Sequence, residues 1–356
     1  MTMKESTHAT IGNNGFILLA TLWMLAMLSI AASFFALWTE RAVNIAQSRQ
    51  ANIQGEIDMI STEANIIYIL SSQRFTIAGL TIPEDLDHRK VYDPDEEVTI
   101  LPVGKEIALD DRPYFGHGKA FFAIQDEGGL LNINIETEVT ISRLLGLLGV
   151  DANWHGSLTA KLKDYIDMDD LHRINGAESY HYKKRGLPRN NYLYHQMELQ
   201  QVLDWKEQST LWENHKLKQL TQLWLPVRPN VNTAPALVLQ AAYQINAESA
   251  ARIIAARKIQ PFYTSRMVSD AMGERLNVDP FEENYFPSKI LRITLWHDRG
   301  QRMRQVFVQL TASANKRKPW QVEFRLEFDL LPIYRKKPYY HVQTPLFNST
   351  LSAKTE

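Results

Sequence analysis

An uninterrupted apolar run near the start of the chain constrains its fold more than any other feature. The 23 residues from Phe16 to Trp38 contain no charged residue, no proline and no glycine. As a helix they would span roughly 30 Å, the thickness of the hydrocarbon core of a bilayer. The run is longer than the apolar core of a signal peptide, and no A-x-A cleavage site follows it. The sequence therefore predicts one membrane-spanning helix, with a buried core helix as the alternative.

The remainder of the chain has the composition of a water-soluble protein. The 356 residues carry a net charge of -1 and no cysteine, and the mean hydropathy is -0.29. The missing cysteines exclude disulfides, thiolate nucleophiles and cysteine-based zinc sites. The balanced charge gives no general attraction to nucleic acid. Charges beside the apolar run, Lys4 with Glu5 and Glu40 with Arg41, cancel and leave its orientation in the membrane open.

The period of the apolar residues changes along the chain in a definite order. Helical spacing continues to about residue 73, a turn-rich segment with short strands follows, and a strand covers Ala120 to Ile124. Helical periodicity then fills about 150 residues before three alternating segments, which indicate antiparallel strands. This order predicts an α+β fold with an inserted all-α domain. The predicted divisions are a long helix over 16–73 with its membrane span at 16–38, an α+β domain over 74–128 and 287–333, an insert over 129–286 and an exposed tail over 334–356.

One cluster of side chains has the character of a metal site. Asp167, Asp169 and Asp170 lie close together in a loop-forming segment, and Glu178 and Asn190 can return to the same place. Oxygen ligands on a loop suit Ca²⁺. The spacing is not that of an EF-hand, and a solvated acidic loop is the alternative. The neighbouring Asp164 is assigned to the preceding helix.

A second segment resembles a helix-hairpin-helix, a fold that often binds DNA phosphates. Its hairpin, "AYQINAE", contains no glycine, which disfavours a close approach of the backbone to phosphate. Arg252, Arg257 and Lys258 are expected to form an ordinary solvated face. A structural role is therefore favoured over nucleic-acid binding. No nucleophile-elbow, zinc-protease, Walker A or dinucleotide motif is present, so no enzymatic activity is expected.

Several short segments together resemble one known family. They are "GLLNIN" (129–134), "DYIDMDD" (164–170) followed by "GAESYH" (176–181), "NNYLYHQMEL" (190–199), "PNVNTAPALVL" (229–239) and "AARIIAARKIQPF" (250–262). Together with the polar leader and long apolar helix, they resemble the type IV pilin-like proteins. Within these, the chain is similar to the minor pseudopilins of the general secretion pathway protein K family of type II secretion.

The resemblance assigns a role to the junction before the apolar run. It implies that residues 1–15 are a prepilin leader, that a prepilin peptidase cuts between Gly15 and Phe16, and that Phe16 is then N-methylated. Most pilins carry glutamate at the fifth mature position, whereas this chain has Ala20. An unpaired charge inside an apolar fibre core is costly. An uncharged residue there is therefore compatible with a subunit that has no neighbour above it.

The resemblance further implies a pilin-like antiparallel sheet head, a helix-hairpin-helix or SAM-like all-α insert and a calcium site in that insert. It places the chain at the tip of a pseudopilus, in the bacterial inner membrane, with the large domain in the periplasm. The implied partners are the I-type and J-type minor pseudopilins and the prepilin peptidase, with the secretin and exported proteins as further contacts and no nucleic acid. A DNA-binding tip protein of a type IV pilus or competence machine is the alternative.

Overall fold

The computed structural model describes residues 14–82, 100–184, 186–276, 283–315, 318–336, 340–342 and 347. The helices in this part are α1 (Asn14–Ser72), α2 (Glu138–Leu147), α3 (Ala152–Ile166), α4 (Ser209–Trp212), α5 (Lys216–Leu220), α6 (Ala236–Ala242), α7 (Ala247–Arg257) and α8 (Ser265–Met272). The strands are β1 (Phe75–Thr76), β2 (Gly79–Thr81), β3 (Glu106–Ile107), β4 (Tyr114–Phe115), β5 (Ala120–Asp126), β6 (Leu131–Asn132), β7 (Thr221–Gln222), β8 (Ile290–His297), β9 (Arg302–Asn315), β10 (Lys318–Asp329) and β11 (Tyr340–His341).

The chain has two compact units. The first unit ends at Gln54 and contains the first part of α1. Every side chain from Phe16 to Gln50 is exposed, including Phe16 at 75 % and Leu18 at 76 %. Within the described residues, α1 is the one helix long and apolar enough to cross a membrane. Such continuous apolar exposure is unfavourable in water and favourable in lipid.

The second unit begins at Gly55 and contains the rest of α1 packed on a sheet. Met59, Ile66 and Ile69 of α1 are buried against Ile293 and Val306 of the sheet. Gly55, the one glycine of this half of the helix, has a packing role: a Cβ there would lie 2.5 Å from His297 Nδ1 at the end of β8. The helix and the sheet can approach closely because this side chain is absent.

The main sheet has six strands in the order β10-β9-β8-β5-β4-β11. The pairs are antiparallel except for β11 beside β4. All eight residues of β8 are buried, because the sheet is covered on both faces. A three-stranded sheet, β1-β2-β3, and the short parallel pair β6-β7 complete the strand content of the described residues.

The helical block, α2 to α8, is inserted between two adjacent strands. Strands β5 and β8 pair directly from Ala120–His297 to Asp126–Leu291, and α2 to α8 all lie between them in sequence. The block has its own core, in which Trp205 and Tyr165 are fully buried. Trp205 Nε1 donates to the Leu158 carbonyl oxygen at 2.9 Å, which satisfies the polar atom of this large ring. The predicted α+β class with an inserted all-α domain is confirmed.

Two local predictions are wrong. The helical spacing predicted across residues 217–224 stops at Leu220, because Thr221 and Gln222 instead pair with β6. The tail from residue 334 is not uniformly exposed: Tyr334, Val342 and Phe347 are buried. Isolated apolar residues in a polar tail show no period, yet they fill gaps in a core formed by distant strands. Arg335, Lys336, Tyr340 and His341 are exposed, as predicted. The other tail residues lie outside the described part, as do residues 83–99 of the turn-rich segment.

Candidate functional site

The candidate metal site lies where α3 ends. Its helix is capped at the start by Asp151, whose Oδ1 accepts from the Asn153 N–H at 2.9 Å. Its last residues, Tyr165 and Ile166, are buried in the core of the helical block. The acidic loop therefore begins from a fixed point at Asp167. Asp164 lies on α3, as predicted.

Arg173 and Asp164 hold the loop in place. Asp164 is fully buried and accepts from Arg173 Nη1 at 2.8 Å and from the Ala177 N–H at 2.9 Å. Arg173 also forms an ion pair with Asp167. Hydrogen bonds to Asp164 and Asp167 raise the pKa of the Arg173 guanidinium. A Cβ at Gly176 would lie 2.0 Å from Asp164 Oδ2, so the close turn requires glycine there.

Glu178 is the most unusual member of the site. Its side chain is fully buried, and neither carboxylate oxygen has a hydrogen-bond partner. Burial, followed by the nearby Asp164 and Asp167, raises the pKa of Glu178 to about 7. A buried carboxylate without a partner is costly until a cation or a proton compensates its charge.

Two further oxygens of the site share this state. Asp167 Oδ1 and Asn190 Oδ1 are buried and have no hydrogen-bond partner. Asn190 brings a second loop to the first, since its Nδ2 donates to the Asp169 carbonyl oxygen at 3.2 Å and to Asp170 Oδ1 at 2.9 Å. The backbone of Asn190 is left-handed, with φ 52°, a conformation that asparagine tolerates better than most residues.

The structure thus brings the five predicted residues into one electrostatic neighbourhood, but not into a complete ligand shell. In the described ranges no three carboxylate or imidazole groups are arranged to hold a metal ion. The unpartnered atoms of Glu178, Asp167 and Asn190 are nevertheless all oxygens, the donor type that Ca²⁺ requires. The residues fit a hard cation in kind, and binding would require them to draw together.

Sequence reasoning missed Arg173 and Gly176, which shape the loop. The sequence contained a signal for the glycine, because "NGAE" follows the acidic run within one short loop. The pairing of Arg173 with Asp164 and Asp167 depends on how the loop folds back, which the spacing alone did not show. The nearby His181 has a structural role: its Nδ1 accepts from the Glu178 N–H at 3.1 Å.

The cations of the helix-hairpin-helix segment are mostly engaged within the protein. Arg257 is 7 % exposed and donates to the Val231 and Ala234 carbonyl oxygens, which corrects the expectation of a solvated side chain. Arg252 donates to the Met272 carbonyl oxygen at 2.8 Å and pairs with Glu248. Arg252 and Lys258 are exposed, as expected for a solvated face.

The predicted maturation site falls at the start of α1. The helix begins at Asn14 and includes Gly15 and Phe16 in its first turn. Residues 1–13 of the predicted leader lie outside the described part. Ala20 is exposed on the apolar half of the helix, where an unpaired carboxylate would face lipid.

Comparison with known proteins identifies the helical block. Residues 125–211 match one family model of protein K of the type II secretion system, and residues 229–275 match a second model of the same protein. Both matched segments of the helical block are similar to protein K of the type II secretion system. The candidate metal site lies within the first match, and the α6–α7 hairpin lies within the second. Both matches fall between β5 and β8, apart from the last two residues of β5.

A solved structure with similarity to this chain is the crystal structure of the GspK-GspI-GspJ complex of the type 2 secretion system of enterotoxigenic Escherichia coli. The identity is 16 %, the TM-score is 0.42, and the match covers 61 % of this chain and 82 % of the other. No curated protein sequence matches this chain.

Proposed function

We propose that this chain is a protein K, a minor pseudopilin at the tip of a type II secretion pseudopilus. The observation that carries the proposal is the pair of protein K matches in the helical block, in a chain whose described part has one exposed apolar helix. That helix would anchor the subunit in the inner membrane and then enter the fibre core. The head would lie in the periplasm, start assembly together with I-type and J-type minor pseudopilins and support export across the outer membrane, without enzymatic activity.

Co-purification tests this role. We expect the full chain, co-expressed with the I-type and J-type minor pseudopilins of the same secretion system, to form one complex with both. A major pseudopilin of that system serves as the matched control and should not replace either partner. Separate elution of the protein from both minor pseudopilins would contradict the tip assignment.

Maturation gives an independent prediction. With a prepilin peptidase present, we expect the protein from membranes to lose residues 1–15 and to carry one methyl group on Phe16, as read from the N-terminal mass. Gly15→Leu should block cleavage because a bulky side chain stands at the scissile bond. Gly12→Leu, at the neighbouring leader glycine, should mature as the parent does. An intact Met1 in the presence of the peptidase would contradict the prediction.

We also propose that the loop after α3 binds calcium. The ion would be held by oxygens of Asp167, Asp169, Asp170, Glu178 and Asn190, and its two positive charges would offset the carboxylates. The support comes from Glu178, a fully buried acid whose two oxygens have no hydrogen-bond partner. An acid in this state is costly until a cation or a proton compensates it.

Calcium should stabilise the protein. At a free concentration of about 100 times Kd, an ion bound by the native state alone adds about 2.7 kcal/mol to the free energy of unfolding. Thermal unfolding in detergent should show this gain with Ca²⁺ against a chelator. Glu178→Gln should abolish the gain, whereas Glu207→Gln, an exposed glutamate in the same block, should keep it. An equal response of the parent and Glu178→Gln would contradict the assignment.

A further inference from the structure

In the part of the chain that the structure describes, strand β10 leaves a long edge of the main sheet open. It has twelve residues and stands at one end of the strand order, whereas β11 at the other end has two. Among the described residues, no backbone group of another element bonds to the outer side of β10. An edge of this kind presents a row of N–H and C=O groups to any strand that reaches it.

The register identifies the outward groups. The Leu330 N–H donates to the Gln301 carbonyl oxygen at 2.7 Å, just beyond the end of the β9–β10 pair. Because bonding directions alternate along an antiparallel pair, Phe324, Leu326 and Phe328 also bond to β9. Arg325, Glu327 and Asp329 therefore direct their backbone groups outward. The Glu327 carbonyl oxygen accepts a long hydrogen bond from the exposed Arg302 guanidinium, at 3.4 Å.

Partly apolar walls stand on both sides of this edge. On the α1 side, a groove of about 580 Å³ is lined by apolar residues that include Ile60, Ala64 and Trp320, and by the ion-paired side chains of Glu63, Arg304, Arg325 and Glu327. Ile60 is 57 % exposed. On the side of the helical block, Trp224 packs beside Phe324 with ring centroids 5.8 Å apart, and Trp224 is 40 % exposed. Successive side chains of an added strand point to opposite faces of the sheet, so they would pack alternately against these two walls.

The charges at the edge also favour a particular partner. Arg325 is a cation whose backbone groups point outward, and its guanidinium forms an ion pair with Glu63 of α1 at 2.7 Å. Glu323 and Asp329 are exposed and have no ion-pair partner in the described ranges. An alternative role for charged side chains on an edge strand is to prevent aggregation. That role does not explain the apolar walls beside the edge. Together, the unpaired carboxylates and the walls suit a segment that is apolar in the middle and basic at its ends.

We propose that β10 is the docking edge for an extended segment of another polypeptide. The segment adds to the sheet as a strand beside Phe324–Asp329, places alternating apolar side chains against the two walls and brings Lys or Arg to Glu323 and Asp329. Backbone hydrogen bonds supply affinity and the walls supply selectivity, as in other cases of strand addition. This inference rests on the edge itself and does not depend on the calcium site or on the place of the subunit in a secretion system.

A peptide titration tests the proposal on the full chain in detergent. The probe is a fluorescent, end-blocked peptide, Lys-Val-Thr-Val-Thr-Val-Lys, followed by anisotropy. We expect saturable binding to the parent and at least tenfold weaker binding to Glu327→Pro, which removes one outward N–H and is tolerated on an edge. Glu327→Thr loses the same ion pair with Arg304 but keeps the N–H, and should bind as the parent does.

Three results would overturn the proposal. The first is equal binding by the proline variant and the parent, and the second is no binding by the parent. The third is self-association of the parent that Glu327→Pro abolishes, since the occupant would then be a second copy of this chain. If the proline variant unfolds at a lower temperature than the threonine variant, the double variant Glu323→Lys/Asp329→Lys replaces it. That variant should prefer a peptide with glutamate at both ends, and an unchanged preference overturns the proposal.

Discussion

Asp126→Ala is expected to lower the free energy of unfolding by about 4 kcal/mol, because four donors lose one buried acceptor. Asp126 ends β5 and is fully buried. Its Oδ1 accepts from the Gly128 N–H at 2.9 Å and the Ser288 N–H at 3.0 Å. Its Oδ2 accepts from Thr233 Oγ1 at 2.9 Å and Asn230 Nδ2 at 3.2 Å. Each donor left buried without a partner costs about 1–3 kcal/mol.

The position of Asp126 makes this effect more than local. The four donors lie at the start of the inserted block, in the segment before α6 and at the return to β8, so one carboxylate joins three chain segments. Thermal unfolding should show a shift of about 10 °C for a domain of this size. Asp126→Asn, which keeps the shape and one acceptor oxygen, should cost less than the alanine variant. A loss below about 1 kcal/mol for alanine would contradict the assigned role.

The second large effect is a pH dependence of stability centred on Glu127. This carboxylate is fully buried, forms no hydrogen bond and faces Arg292 Nη1 at 3.5 Å. Burial raises the pKa of Glu127 to about 7, against the attraction of Arg292. Because the folded protein holds this proton more tightly than the unfolded chain, the contribution is full below about pH 4.5 and is lost as the pH rises through 7. The loss amounts to about 3 kcal/mol.

A comparison of the parent with Glu127→Gln isolates the contribution of Glu127 to the pH dependence of stability. The stability of the parent relative to the variant should fall by about 3 kcal/mol between pH 4.5 and pH 7.5. The slope is compared rather than the absolute value, because glutamine also leaves Arg292 without its ion pair. The neighbouring Lys218, whose pKa burial lowers to about 8, changes its contribution mainly above this window. Parallel profiles for the parent and the variant would contradict the prediction.

The strands show how far periodicity alone leads. The alternation of residues 320–330 predicted a strand, and alternate residues of the observed β10, Lys318–Asp329, are indeed more exposed. The register changes between Val322 and Phe324, so that Phe324 lies beside Trp224 of the helical block whereas Arg325 pairs with Glu63 of α1. An extra residue of this kind leaves no mark in the alternation, because bulges depend on how two strands fit together.

Some features of the candidate site could also be predicted from the sequence, whereas others could not. The acidic run, its place after a helix and the return through residues 178 and 190 could be predicted from residue types and spacing. The burial of Glu178 could not be predicted, and neither could the ion pairs of Arg173 with Asp164 and Asp167. Arg257 was expected to be solvated because cations on a helix usually form a solvated face, but the fold brings it to Asp110 of the sheet domain, far away in the chain.

By itself, the sequence determined the features that depend on neighbouring residues: the apolar helix, the order of helical and strand segments, the insertion of the all-α block and the motifs of the protein K family. Hydrophobic period and turn chemistry act over a few residues, so they can be read without knowing the fold. Only the tertiary structure decided which polar groups are buried and what they contact. Asp126, Glu127 and Arg292 contact partners that lie more than a hundred residues away in the chain. Their contributions to the free energy of unfolding arise from these contacts.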